Sequence, residues 1–192
     1  RRRLAGGARG RGGANDGCTP AVGAIRIRVA SGTERSRAAM SSPAPLPIEI
    51  NQSAQRGELQ KVVKWLRKAG PVDALCSDLI RGGQPSTFGL LHIAATHGQL
   101  EIMRMLLKRG ANVDLQGSLG LTALMDAAYY GHLPIVLVLL QHSANPDLQS
   151  NNGYTALMKA ANEGHEACVQ ALLRAKASTE LLDNDGHSAL HW

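Results

Sequence analysis

Gly120-Leu121-Thr122-Ala123-Leu124-Met125-Asp126-Ala127-Ala128 is followed 33 residues later by Gly153-Tyr154-Thr155-Ala156-Leu157-Met158-Lys159-Ala160-Ala161. The same shift lays Thr87–Gln116, Gly120–Gln149 and Gly153–Leu182 on one another. Leu91, Leu124 and Leu157 share one column, and the Ala94/Ala95, Ala127/Ala128 and Ala160/Ala161 pairs share the next. Gly98, Gly131 and Gly164 follow, then Leu106-Leu107, Leu139-Leu140 and Leu172-Leu173. A fixed period of roughly 20 to 50 residues marks a solenoid, in which each unit buries its apolar face only against its neighbours.

Within a unit the apolar spacing is helical on both sides of the glycine, so each unit reads as two helices of about nine residues. Glycine ends the first helix because it enters the left-handed backbone region without steric cost. Thr122 caps the first helix of its unit, and Pro134 stands near the start of the second, where its missing N–H costs nothing. Paired alanines let neighbouring first helices approach closely, and a bulkier side chain there costs about 1–3 kcal/mol through overpacking. Gly89 stands where a Thr cap is expected and is a passable substitute. Lys176 replaces the glycine after the last second helix, which predicts a strained turn.

These motifs make the chain resemble the ankyrin repeats, whose Gly-x-Thr-Pro-Leu-His-x-Ala-Ala opening is matched by the two stretches quoted above. The resemblance covers roughly residues 47–192 and implies an all-α solenoid of stacked helix-turn-helix units with hairpin finger loops. Its units are 47–83, 84–116, 117–149, 150–182 and a truncated 183–192. The opening unit has Gly57, Trp65-Leu66 and Asp73 where the next has Gly98, Leu106-Leu107 and Asp114, a shift of 41. Eight extra residues therefore lie between them, placed in a lengthened finger over Leu75–Ser86. Ile48 and Ile50 lead into the first helix, and Trp65 is assigned to the core through its alignment with Leu106. The last unit has no capping half, so the natural chain is expected to continue past Trp192.

Residues 1–46 differ in kind. Their nine arginines stand against Asp16 and Glu34, whereas 47–192 carry 12 basic and 13 acidic residues, so the overall charge of +6 belongs to the leader. An Arg/Gly/Ser-rich segment without apolar period cannot offset its chain entropy and reads as disordered. It is compatible with a plain leader, an organelle transit peptide or a Gly/Arg tail touching nucleic acid. Met40 also makes a natural start, which would place the upstream residues outside the native protein. Binding to nucleic acid through the near-neutral repeats is not expected.

Cys18, Cys76 and Cys168 have neither disulfide nor metal spacing, which points to a reducing intracellular setting. Cys168 shares the column of Ile102 and Ile135 and reads as core. No apolar run reaches the ~18–20 residues that span a bilayer. His187 and His191 lie four apart, but a third zinc ligand and a neighbouring Glu base are absent. Asp183-x-Asp185-Gly186 has its glycine too early for a calcium loop and reads as a turn. His92 and His191 fill the motif's histidine position, and His132 and His165 follow the inter-helix glycine, so these rings read as structural. No catalytic constellation or cofactor motif is present, and none is expected.

Recognition in ankyrin proteins usually uses the fingers and the concave faces of the first helices. By position, this implies Phe88, Thr96 and His97; then Ser118, Leu119, Leu121, Asp126, Tyr129 and Tyr130; then Asn151, Asn152, Tyr154, Lys159, Asn162 and Glu163. All three tyrosines and the sole phenylalanine fall in this set. Aromatics concentrate at interface centres because they bury large areas and keep a polar tip. For Phe88 and Tyr154, finger-on-finger packing is an equal alternative. The resemblance thus implies a non-catalytic protein-binding module, monomeric if the repeat array is complete. The alternative is a regulatory or targeting region at the N-terminal side of a larger enzyme.

Overall fold

The computed structural model describes residues 45–79 and 85–191; the expectations for the basic leader up to residue 44, for Gly82-Gly83 and for Trp192 lie outside the described residues. The helices fall into pairs: α1 (Ile48–Gln55) with α2 (Leu59–Arg67), α3 (Leu90–Thr96) with α4 (Leu100–Lys108), α5 (Ala123–Tyr129) with α6 (Leu133–Gln141), and α7 (Ala156–Asn162) with α8 (Glu166–Arg174). A short 3-10 turn, Ala189–His191, follows. First helices stack in the order α1, α3, α5, α7, and second helices stack beside them as α2, α4, α6, α8. The 33-residue period thus becomes a layered solenoid. From the second unit on, first helices are shorter than expected, seven residues against nine for the second helices.

The core follows the repeated columns. Leu91, Leu124 and Leu157 are buried, as are Leu106, Leu139 and Leu172, and Cys168 joins Ile102 and Ile135 in the interior. Ala94, Ala95, Ala127, Ala128 and Ala160 are enclosed between stacked first helices. Ala161 is only half-buried, since α7 has the short 3-10 turn on its far side in place of a full helix. Trp65 packs against the core as expected but is only half-buried, while Leu66 beside it is buried. The indole leans on the turn after α2, where a methyl group on Gly70 would lie 2.6 Å from the ring. Leu46 is buried and its N–H donates to the Leu75 carbonyl at 2.9 Å, so Leu46, just ahead of residue 47, packs with the first unit. Ile48 and Ile50 lie inside α1 rather than ahead of it.

The eight extra residues of the first unit do more than lengthen a finger. β1 (Leu75–Leu79) and β2 (Pro85–Gly89) pair antiparallel, with Leu75 opposite Gly89 and Cys76 opposite Phe88. Each later finger is bonded to its neighbour side by side. Asp73 accepts from Asn112 N–H (3.0 Å), Asp114 from Asn145 N–H (2.9 Å) and Asp147 from Ser178 N–H (2.7 Å). Gln116 donates to the Gly120 and Gln149 carbonyls, and Gln149 to those of Gly153 and Leu182, so each binds both ends of the unit that follows it. Such bonds satisfy backbone groups that loops otherwise leave to water.

The helix ends explain the glycine and threonine columns. Thr122 and Thr155 accept from the N–H groups of Met125 and Met158 at 3.3 and 3.2 Å, which caps α5 and α7. At Gly89 no such side chain exists, and His92 Nδ1 accepts from Gly89 N–H at 3.1 Å instead. The His92 Nε2–H donates to the Leu121 carbonyl at 2.9 Å and so joins two units. After the second helices the backbone is left-handed at Gly110, and also at Ala69, Ser143 and Lys176, with φ of 66°, 64° and 63°. The strain expected at Lys176 is therefore present at three positions rather than one.

Candidate concave recognition surface

Asp126, Tyr129 and Tyr130 begin the surface. α5 is held by Thr122 and by the buried Leu124 and Ala127-Ala128, so its remaining positions, Asp126, Tyr129 and Tyr130, face away from the core. Tyr129 is 38% and Tyr130 49% exposed. Their rings meet edge to face with centroids 5.0 Å apart, a favoured aromatic geometry. Tyr130 also stacks on the His132 ring, centroids 6.3 Å apart and 22° between planes. The two rings thus form one continuous aromatic platform.

Hollows flank this platform on both sides, each of about 230 Å³. On one side Phe88, His92, Thr96, Leu121, Asp126 and Tyr130 line the wall. On the other stand Tyr129, Tyr154, Lys159, Asn162 and Glu163. The Lys159 ammonium lies 5.3 Å from the centre of the Tyr129 ring and 5.1 Å from that of Tyr154. Both distances are within cation–π reach, so two repeats are linked through one lysine. Asn162 donates to Glu163 at 2.8 Å along the rim.

The electrostatics of the two hollows differ. Asp126 keeps a little surface open, but close packing strips water from its carboxyl and raises its pKa to about 7, with nearby Lys159 opposing the shift. Its carboxylate has no hydrogen-bond or salt-bridge partner among the described residues. Desolvation lowers the pKa of Lys159, while Asp126 and Glu163 act in the opposite direction. Burial likewise pushes His92 below the usual imidazole range, which keeps the ring in the neutral form that both its hydrogen bonds require.

The sequence-derived candidates therefore separate into groups. Phe88, Leu121, Asp126, Tyr129, Tyr130, Tyr154, Lys159, Asn162 and Glu163 come together around the two hollows, as do Thr96 and His97. Phe88 also packs on the core from β2, so finger packing accounts for part of it. Leu119 and Asn152 stand exposed on the fingers and line neither hollow. Ser118 and Asn151 serve the fingers themselves: Ser118 Oγ accepts from Thr87 N–H (2.9 Å), and Asn151 Nδ2 donates to the Ser118 carbonyl (2.9 Å). Asn51, from α1, lines the first hollow and was not anticipated, because the opening unit aligns poorly with the rest.

Two other features lie away from this surface. A larger hollow of about 470 Å³ is lined only by α1 and α2 and the turns after them, among them Arg56, Lys61, Lys64 and Trp65. In the last finger, ligand-type atoms of Asp183, Asp185 and His187 lie within 4.8 Å of one another. Asp183 Oδ1 accepts there from the N–H groups of Asp185 (3.0 Å) and His187 (2.8 Å), the bonding expected of a turn. Among the described residues, no helix is long and apolar enough to cross a membrane.

No curated protein matches the chain. A family model described as ankyrin repeats, in three copies, matches residues 50–150 and 124–192. With the paired helices and the bonded fingers in place, that match is decisive: the chain belongs to the ankyrin-repeat family.

Proposed function

We propose that this chain is a non-catalytic scaffold or adaptor that binds a protein partner through the concave face of its repeats and the adjoining fingers. Ankyrin repeats are generally protein–protein interaction modules and typically lack catalytic activity. The observation that carries the reading is the exposed Tyr129–Tyr130 pair, in edge-to-face contact and flanked by a hollow on either side. Exposed adjoining aromatics on a preformed surface suit an interface centre, because little ordering is needed on binding. Tyr154 and Lys159 extend the surface to the next repeat, and Leu119 and Asn152 offer finger-tip contacts at its edge. Cys76 and Cys168 are buried thiols, which supports a reducing intracellular setting.

Partner capture from cell extract tests the proposal, comparing the chain with its Tyr129→Ala/Tyr130→Ala/Tyr154→Ala variant. A protein retained by the chain and lost by the variant supports it. Retention of the same proteins by both places recognition elsewhere and overturns it.

A further inference from the structure

We propose that the hollow between Phe88 and Tyr130 receives an arginine side chain of the partner, with the Asp126 carboxylate as its counter-ion. This inference rests on the concave-face reading above and names the chemistry that the face selects. At about 230 Å³ the hollow is smaller than the ~300–1,000 Å³ usual for a drug-sized ligand and suits one side chain. Its walls are Phe88, Leu121 and Tyr130, against which a planar guanidinium can lie. Its only formal negative charge is Asp126, which has no hydrogen-bond or salt-bridge partner among the described residues. An enclosed carboxylate of this kind is costly to keep until a cation reaches it, so the site favours a bidentate donor.

The surrounding groups leave that role to an incoming cation. From α3, His92 is held neutral by its two hydrogen bonds, and the His97 Nδ1–H is turned back toward the Ile93 carbonyl at 3.1 Å. From the start of α6, His132 Nε2–H donates to the Thr96 carbonyl at 3.2 Å. From α7, Lys159 is drawn to the Tyr129 and Tyr154 rings and forms no salt bridge with Asp126, while Glu163 lies beside Lys159 in the other hollow. α1 contributes the uncharged Asn51 and Gln55. Lys159 thus acts at a distance, easing ionisation of Asp126 but repelling a second cation.

Binding has a proton linkage. With the carboxyl of the unbound chain titrating at about 7, arginine displaces a proton at pH 6 and none at pH 8. Affinity is expected to rise about tenfold between these two values. The test uses the full chain and degenerate dodecapeptide pools that are identical except for one fixed central residue: arginine, norleucine or glutamate. Retention is read by fluorescence anisotropy at pH 6 and pH 8. The arginine pool is expected to bind best, about tenfold better at pH 8. Asp126→Asn should abolish both the preference and the pH dependence. At pH 8, where Asp126 is ionised without help, Lys159→Met should raise arginine-pool retention, an increase that loss of folding cannot mimic. Equal retention of the arginine and norleucine pools, or a preference that survives Asp126→Asn, overturns the proposal. If the norleucine pool binds and loses binding on Tyr130→Ala, the concave-face reading stands and only the arginine assignment falls. Retention of no pool overturns the assignment, while the tyrosine-variant capture decides the wider reading separately.

Discussion

The Nε2–H of His165 donates to the carbonyl of Tyr129 at 3.0 Å, across the boundary between two repeats. The same bond recurs one unit earlier from His132 to Thr96 at 3.2 Å, and between the first two units Gln99 donates to the Gln55 carbonyl at 3.0 Å. Each donor follows an inter-helix glycine and reaches the last turn of the preceding first helix. Orphan carbonyls at a helix C-terminus are thereby satisfied by the next repeat. At Tyr129 the bond pins the backbone that carries the aromatic platform.

That geometry gives the inter-helix glycine two separate duties. Gly131 has φ +71°, and a methyl group on it would lie 2.7 Å from the His165 ring. Gly131→Ala should therefore cost about 3 kcal/mol, from left-handed strain together with displacement of the histidine. Gly110 has φ +80° but nothing within 4 Å, so Gly110→Ala should cost only about 1 kcal/mol. Urea unfolding of both variants checks the difference, and equal losses would show that the histidine contact contributes nothing.

The turns after the second helices make the opposite prediction. Ser143 and Lys176 hold left-handed backbone at positions equivalent to Gly110. Ser143→Gly and Lys176→Gly should each stabilise the chain by about 0.5–1 kcal/mol, the strain relieved exceeding the added entropy of the unfolded chain. Thermal unfolding of the single and double variants reads the effect, and additivity is expected because the turns lie in different units.

Asp126 should make stability depend on pH in a direction unusual for a carboxylate. Its pKa is raised from 3.8 to about 7, so the folded state holds a proton that the unfolded state releases between these values. Stability from this group therefore increases as pH falls from 7 toward 4, and is lowest above pH 7. Asp126→Asn should stabilise the protein at pH 8 by on the order of 2 kcal/mol, the full shift being discounted for partial exposure. At pH 4 the gain should nearly vanish. Denaturant titrations at both pH values measure it, and an equal gain at both would contradict a desolvated carboxylate.

The repeat and its core could be read from residue types because each column is used several times. Leu91, Leu124 and Leu157, and the alanine pairs beside them, carry one packing role at one spacing. The β1–β2 hairpin could not be read this way: it occurs once, and the shift of 41 revealed only that residues were added. Left-handed backbone at Ala69 and Ser143 was hidden because neither residue type announces it, whereas the missing glycine at Lys176 drew notice. Tyr129, Tyr130 and Tyr154 stood out as aromatics in a chain with few of them. The bridge from Lys159 to two tyrosines, and the desolvation of Asp126, depend on how side chains from adjacent repeats meet. Periodicity says nothing about either. Leu119 and Asn152 share the fingers' repeat positions, but that position does not tell that they line neither hollow.

The role assigned to the tyrosine platform requires that it serve binding and contribute little to folding. The most direct measurement compares the chain with Tyr129→Ala/Tyr130→Ala in affinity for a captured partner and in thermal unfolding, on the same preparations. Affinity should fall by about 2 kcal/mol or more, roughly thirtyfold. Stability should change by no more than about 1 kcal/mol, the worth of the edge-to-face and stacked contacts. Unchanged affinity, or a stability loss that accounts for all of the lost binding, would contradict the account.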